Sequence, residues 1–150
     1  MVSESELLKK LRLERRRLKS LNKYQAEAGA LKKVPEHSEE ELRMIVRANE
    51  FGTMTIPARS FLRGAAARNK RHAWRYAASV SVGKIINGEL TAMGAYKSIS
   101  KVMAEGVRHQ ISIVGPANAP ATIKKKGRNE PLVDTGGLRR SIDGRVTTRG

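Results

Sequence analysis

The order of apolar and polar positions divides the chain into segments of different period. Over residues 3–21, Leu7, Leu11, Leu18 and Leu21 return at steps of four, seven and three, the spacing of one helical face. Ser3 followed by Glu6 has the spacing of a capping box, so a helix is predicted to start there. From Tyr24 to Ala30 the period falls to two. Tyr24, Ala26, Ala28 and Ala30 alternate with Gln25, Glu27 and Gly29, which predicts a short strand despite the weak strand preference of alanine. Ser38 precedes Glu39, Glu40 and Glu41, a cap followed by an acidic first turn that suits the positive end of a helix dipole. The helix opened there offers Leu42, Ile45, Val46 and Ala48 to a core and stops at Gly52.

Further along, the pattern predicts a helix over residues 65–87, with Trp74 as a core anchor, broken by Asn87-Gly88. A second helix, capped by Thr91 or Asn87, is predicted over 90–113. Its core stripe is expected to be Met93, Tyr96, Ile99, Val102, Met103, Val107 and Ile111, with Gly94 and Gly106 allowing close packing. Residues 115–136 lack periodicity and read as a long loop, after which Leu132 and Val133 re-enter the core. Gly136-Gly137 supplies a turn, Leu138 to Ile142 a short helical turn or strand start, and Val146 to Thr148 a strand able to pair with residues 24–31. The expected fold is α+β: about four helices on a small antiparallel sheet, with a long basic loop before the C-terminal strand. Residues 1–23 form a basic helical arm and 24–150 a single domain.

Charge changes this picture most. Thirty Lys and Arg stand against 14 Asp and Glu, a formal charge of +16. Such an imbalance speaks about partners rather than fold, and points to a polyanion, nucleic acid before acidic protein or anionic lipid. Lys9, Lys10, Arg12, Arg15, Arg16, Arg17 and Lys19 surround the leucines of the first helix, which reads as an arm for a neighbouring subunit or for nucleic acid. Between Glu50 and Glu89 there is no carboxylate, while Arg59, Arg63, Arg68, Lys70, Arg71, Arg75 and Lys84 all fall there. Arg68, Arg71 and Arg75, three and four residues apart, are expected to share a helical face. Together with Lys124, Lys125 and Lys126 they form a surface for duplex phosphates, a contact that carries no sequence information.

Other chemistry is sparse. Cysteine is absent, which excludes disulfides and thiolate chemistry. No apolar run approaches the roughly 20 residues that span a bilayer, and the N-terminus lacks the apolar core of a signal peptide. A soluble protein made in a cytoplasm, with no membrane partner, is expected. His37, His72 and His109 are isolated, and there is neither a phosphate-binding glycine loop nor a nucleophile elbow. The expectation is no enzyme, no cofactor and no metal.

The stretch from Asn49 to Arg63 reads as a corner. Gly52 permits angles closed to other residues, and Pro57 fixes its own φ and extends Ile56. Phe61 and Leu62, held between Arg59 and Arg63, anchor the helix beyond it. Two strings here, Asn49-Glu50-Phe51-Gly52-Thr53 and Ile56-Pro57-Ala58-Arg59-Ser60-Phe61-Leu62-Arg63, resemble the neck or tail-completion proteins of tailed bacteriophages. A second block supports the likeness: Pro120, Thr122, Lys126-Gly127, then Pro131-Leu132-Val133-Asp134-Thr135-Gly136-Gly137-Leu138 and Ser141-Ile142. The resemblance covers roughly residues 25–146 and leaves the N-terminal helix unaccounted for.

What the resemblance implies is a virion protein at the head–tail interface, made in the host bacterial cytoplasm. It would be a homo-oligomeric ring joining the connector or adaptor on the head to tail-terminator or tail-tube proteins, around the double-stranded DNA. Subunit or partner contacts would fall on Asn49, Glu50, Phe51, Gly52, Thr53, Pro57, Arg59, Phe61, Arg63, Asp134, Thr135 and Gly136. The basic residues would then face the channel, and the lysine run would reach the lumen or an adjacent subunit. The alternative reading is a monomeric, non-specific nucleic-acid-binding protein, which explains the charge but not the two blocks.

Overall fold

The computed structural model describes residues 1–116, 118, 120–127 and 136–150, without the side chains of Thr122 and Lys126. It has an α+β fold, mostly helical, with one two-stranded antiparallel sheet. In chain order the elements are α1 (Glu4–Lys19), a 3-10 turn (Ser20–Lys23), β1 (Tyr24–Ala30), α2 (Glu39–Phe51), α3 (Phe61–Asn69) and α4 (Ala73–Asn87). They continue with α5 (Ala92–Ile113), α6 (Pro120–Lys126), α7 (Gly137–Ser141) and β2 (Ile142–Thr148).

Local signals set the helix starts. Ser3 with Glu6 and Ser38 with Glu41 each form a complete capping box, and Thr91 accepts the Gly94 N–H at the start of α5. Gly88 ends α4 in the left-handed region. The guanidinium of Arg17 donates to the Ile86 carbonyl at 2.9 Å, placing a cation at the negative end of α4 and tying α1 to it.

The first and last strands pair along their whole length, from Tyr24 opposite Thr148 to Ala30 opposite Ile142. On the outer side of the sheet Arg145 and Glu27 form a directly cross-strand ion pair at 2.8 Å. The other side lies on α5, the central helix, which also meets α3 and α4. Contact there is so close that a Cβ on Gly144 would sit 2.3 Å from the Ser100 carbonyl oxygen. The core joins Leu42 of α2, Phe61 and Ala65 of α3, Ala104, Val107 and Ile111 of α5, Leu138 of α7 and Ile142 of β2.

Three expectations need correction. Residues 65–87 are not one helix: α3 ends at Asn69 and α4 begins at Ala73. The buried face of α5 is built mostly from small residues, Ala92, Ala95, Ser100 and Ala104, with Val107, Gln110 and Ile111, and Met93 is exposed. Large side chains there would hold off the sheet and the α3–α4 corner, where Gly106 lies beneath Asn69 and Trp74. The segment expected as a long loop contains α6, which carries Lys124 and Lys125. The predicted re-entry of Leu132 and Val133 falls outside the described residues.

Candidate assembly site at the 49–63 corner

The corner is built by the end of one helix capping the start of the next. Glu50 lies in the last turn of α2 and is only 3% exposed. Its carboxylate accepts the backbone N–H groups of Leu62 at 2.9 Å and Arg63 at 3.0 Å, in the first turn of α3. Ser60 precedes α3 without capping it; its hydroxyl instead donates to Glu50 at 2.8 Å. Thus a carboxylate borrowed from α2 fills the role of the α3 cap and meets the positive end of its dipole. The Arg63 guanidinium closes the web, donating to the Glu50 carboxylate at 2.9 Å and to the Glu50 carbonyl at 2.7 Å.

Burial alone would raise the pKa of Glu50. The N–H groups of Arg63 and Leu62, then the Arg63 guanidinium and the Ser60 hydroxyl, outweigh it and hold the carboxyl below its ordinary value. The group is therefore an anion in a hydrogen-bonded socket, with its acceptor capacity committed to the protein itself. That arrangement suits positioning rather than proton transfer.

Between the helices the chain turns sharply. Gly52 has φ +76°, and a Cβ there would lie 2.9 Å from the Ala58 nitrogen and 3.0 Å from the Ile56 oxygen. The Thr53 hydroxyl accepts the Ile56 N–H at 2.9 Å and the Thr55 N–H at 3.2 Å, while the Thr53 N–H donates to the Ile56 carbonyl at 2.8 Å. Arg59 donates its backbone N–H to the Asn49 carbonyl at 2.6 Å and its Nε to the Pro116 carbonyl at 2.9 Å, fastening the corner to the chain beyond α5.

Inside this frame the side chains divide by exposure. Glu50, Arg59 and Phe61 are buried within the subunit, Phe61 completely. They shape the corner and present little of themselves. The outward surface falls to Phe51, Thr53, Pro57 and Arg63, with Met54 and Ile56 at the tip. Phe51 is 66% exposed and carries the Arg63 guanidinium 4.8 Å from its ring centroid, so one ring face is taken and the rest is open. Met54 and Ile56 were not among the contact residues expected from the sequence. The available signal was two apolar residues in a loop between a glycine stop and a proline.

Of the second block, Gly136 has φ +81° and precedes α7, which packs against α2. Asp134 and Thr135 lie outside the described residues. The structure thus brings together Asn49, Glu50, Phe51, Gly52, Thr53, Arg59, Phe61 and Arg63, with Pro57 exposed on the same loop.

The basic residues fall otherwise than expected. Arg68 is in the last turn of α3, Arg71 in the intervening turn and Arg75 in the first turn of α4, so they do not share one helical face. All three are exposed and pair with no described carboxylate. Arg75 occupies a helix end where a cation is disfavoured, and α4 starts with neither an acidic residue nor a side-chain cap. Lys124 and Lys125 are exposed on α6, and the side chain of Lys126 is not among those described.

Among the described residues no three His, Asp or Glu side chains converge as a metal site, and no helix is long and apolar enough to cross a membrane. Comparison with protein-family models, with curated proteins and with solved structures returns no match.

Proposed function

We propose that this chain is a head–tail joining protein of a tailed bacteriophage, a neck or tail-completion subunit that assembles into a ring around the DNA channel. The observation that carries the reading is the apolar tip of Phe51, Met54 and Ile56, exposed on a corner that buried Glu50 makes rigid. The same stretch carries the resemblance to neck proteins. A subunit that holds large apolar groups outward on a fixed frame is prepared for a protein contact, and fixing the frame beforehand lowers the ordering cost of association. In a ring each subunit places one patch against a different patch of its neighbour. Exposed Arg68, Arg71 and Arg75 then supply a cationic surface for the phosphates of DNA in the channel.

Light scattering on the purified protein, alone and with connector and tail proteins, tests this. A discrete ring in either condition is the expected result. A monomer in every condition that binds free duplex with steep salt dependence overturns it. That outcome establishes instead a monomeric nucleic-acid-binding protein, the reading favoured by the carboxylate-free stretch between Glu50 and Glu89.

A further inference from the structure

Helix α1 is capped at its start, tethered near its end by Arg17, and carries no buried residue. Leu7, Leu11 and Leu18 nonetheless lie exposed along one side, with Glu14 between the last two. Leu11, Glu14, Arg15 and Leu18 line a shallow depression at spacings of i, i+3, i+4 and i+7. These four positions form the hole that receives a knob from a packed helix.

A matching surface exists on the same chain. Helix α2 turns Leu42 and Glu50 inward, and its opposite side presents Glu40, Met44, Arg47 and Phe51. Met44 is 60% exposed and Phe51 66%, two large apolar groups on an otherwise charged face. Leu11 to Leu18 and Met44 to Phe51 each cover seven residue steps, about 10 Å at helical rise. Laid antiparallel, Leu18 faces Met44, Glu14 faces Arg47 and Leu11 faces Phe51, Leu7 lies beyond the end of α2, and Lys19 is within one turn of Glu40. Glu14 then meets Arg47, and the basic end of α1 lies beside the acidic start of α2, while Arg15 is the one cation of the hole brought near Arg47.

We infer that the leucine face of α1 docks on the outer face of α2 in a second copy of this chain. The contact joins two different patches, so it is the head-to-tail kind that propagates around a ring. It deepens the ring reading and rests on it. Its continuity with that reading lies in Phe51, which belongs both to α2 and to the exposed corner. Pairing α1 with another α1 is disfavoured: from Lys9 to Lys19 the helix carries seven cations and the single carboxylate of Glu14. A nucleic acid has no use for the leucines, and a bilayer would have to bury Glu14.

The absence of cysteine allows a direct test on the full chain. Leu18→Cys and Met44→Cys proteins, both altered at exposed positions, are mixed and oxidised with copper phenanthroline. The expected product is a disulfide-linked heterodimer, well above that formed by either protein alone or by Leu18→Cys with Glu89→Cys. Adding Lys19→Glu to the first protein should lower its yield roughly fivefold, and Glu40→Lys in the second should restore it. Leu18→Cys pairing best with itself overturns the inference in favour of an α1–α1 contact. A ring seen by light scattering without the Leu18–Met44 product overturns it too, and leaves the ring reading standing. No association by either measurement overturns both.

Discussion

Arg63 reaches the Glu50 carboxylate twice, donating its backbone N–H at 3.0 Å and its Nε at 2.9 Å. The two contacts differ in worth. The Arg63 side chain is 61% exposed, so its ion pair is screened and contributes little. The backbone bond and its neighbour from Leu62 end in a carboxylate that is almost fully buried, and no other described side chain caps α3.

Removing the acceptor should therefore cost more than removing the cation. Glu50→Ala is expected to destabilise the protein by about 2–4 kcal/mol, since it strands two backbone donors and the Ser60 hydroxyl. Arg63→Gln keeps the backbone bond and should cost under about 1 kcal/mol. Urea unfolding of both variants measures the difference. Equal losses would show that the ion pair, rather than the borrowed cap, holds the corner.

The same carboxylate predicts a pH dependence. Its folded pKa lies below the ordinary value, so the unfolded chain binds the proton more readily. Stability from Glu50 is then fully present above the unfolded pKa of about 4.3 and is lost as pH falls through the folded value. Glu27, Glu36, Glu39 and Glu41 are lowered as well and shift stability in the same direction. The informative quantity is hence the difference between wild type and Glu50→Gln. It should be constant from pH 6 to 8 and shrink below about pH 4. A gap that widens in acid would mean that the folded pKa of Glu50 lies above its unfolded value.

The sequence announced its helix starts because Ser3, Ser38 and Thr91 act through neighbours three residues away. The strand at 24–30 was readable from alternation, though its alanines argued against it. They are small because α5 lies against them, a reason that lives in the packing and not in strand preference. The α5 stripe held at Val107 and Ile111 but misled elsewhere for the same cause: Ser100 lies too near the Gly144 backbone for a larger group, Ala104 is fully buried, and Met93 is exposed. At the corner, Gly52 and Pro57 marked the turn, but nothing local tells that Glu50 crosses the loop to cap the next helix. The break between α3 and α4 was equally silent, since Lys70, Arg71 and His72 lack the glycine or proline that usually marks one.

Close packing of the sheet makes Gly144 and Gly83 opposite cases. A Cβ on Gly144 meets the Ser100 backbone oxygen at 2.3 Å, a group that cannot swing aside, so Gly144→Ala must lift β2 from α5. It should cost about 1–3 kcal/mol. Gly83 lies in the interior of α4 with no atom within 4 Å of its Cβ position, so Gly83→Ala should stabilise by up to about 1 kcal/mol. Thermal unfolding of the pair gives shifts of opposite sign. A neutral Gly144→Ala would place the strand farther from α5 than described.

Arg68, Arg71 and Arg75 offer the sharpest test of contact with DNA. They are exposed and pair with no described carboxylate, so replacing all three with glutamine should leave folding nearly unchanged. Each phosphate contact contributes about 0.9 to the slope of log affinity against log salt concentration. If all three reach the duplex, the triple variant should bind more weakly, with a slope shallower by nearly 3, in fluorescence anisotropy across a salt series. Arg145→Gln is the control for lost charge, because that arginine is already paired across the sheet with Glu27. Its slope should match wild type. An unchanged slope in the triple variant would exclude this surface as a DNA contact and leave α6, with Lys124 and Lys125, as the next cationic element to test.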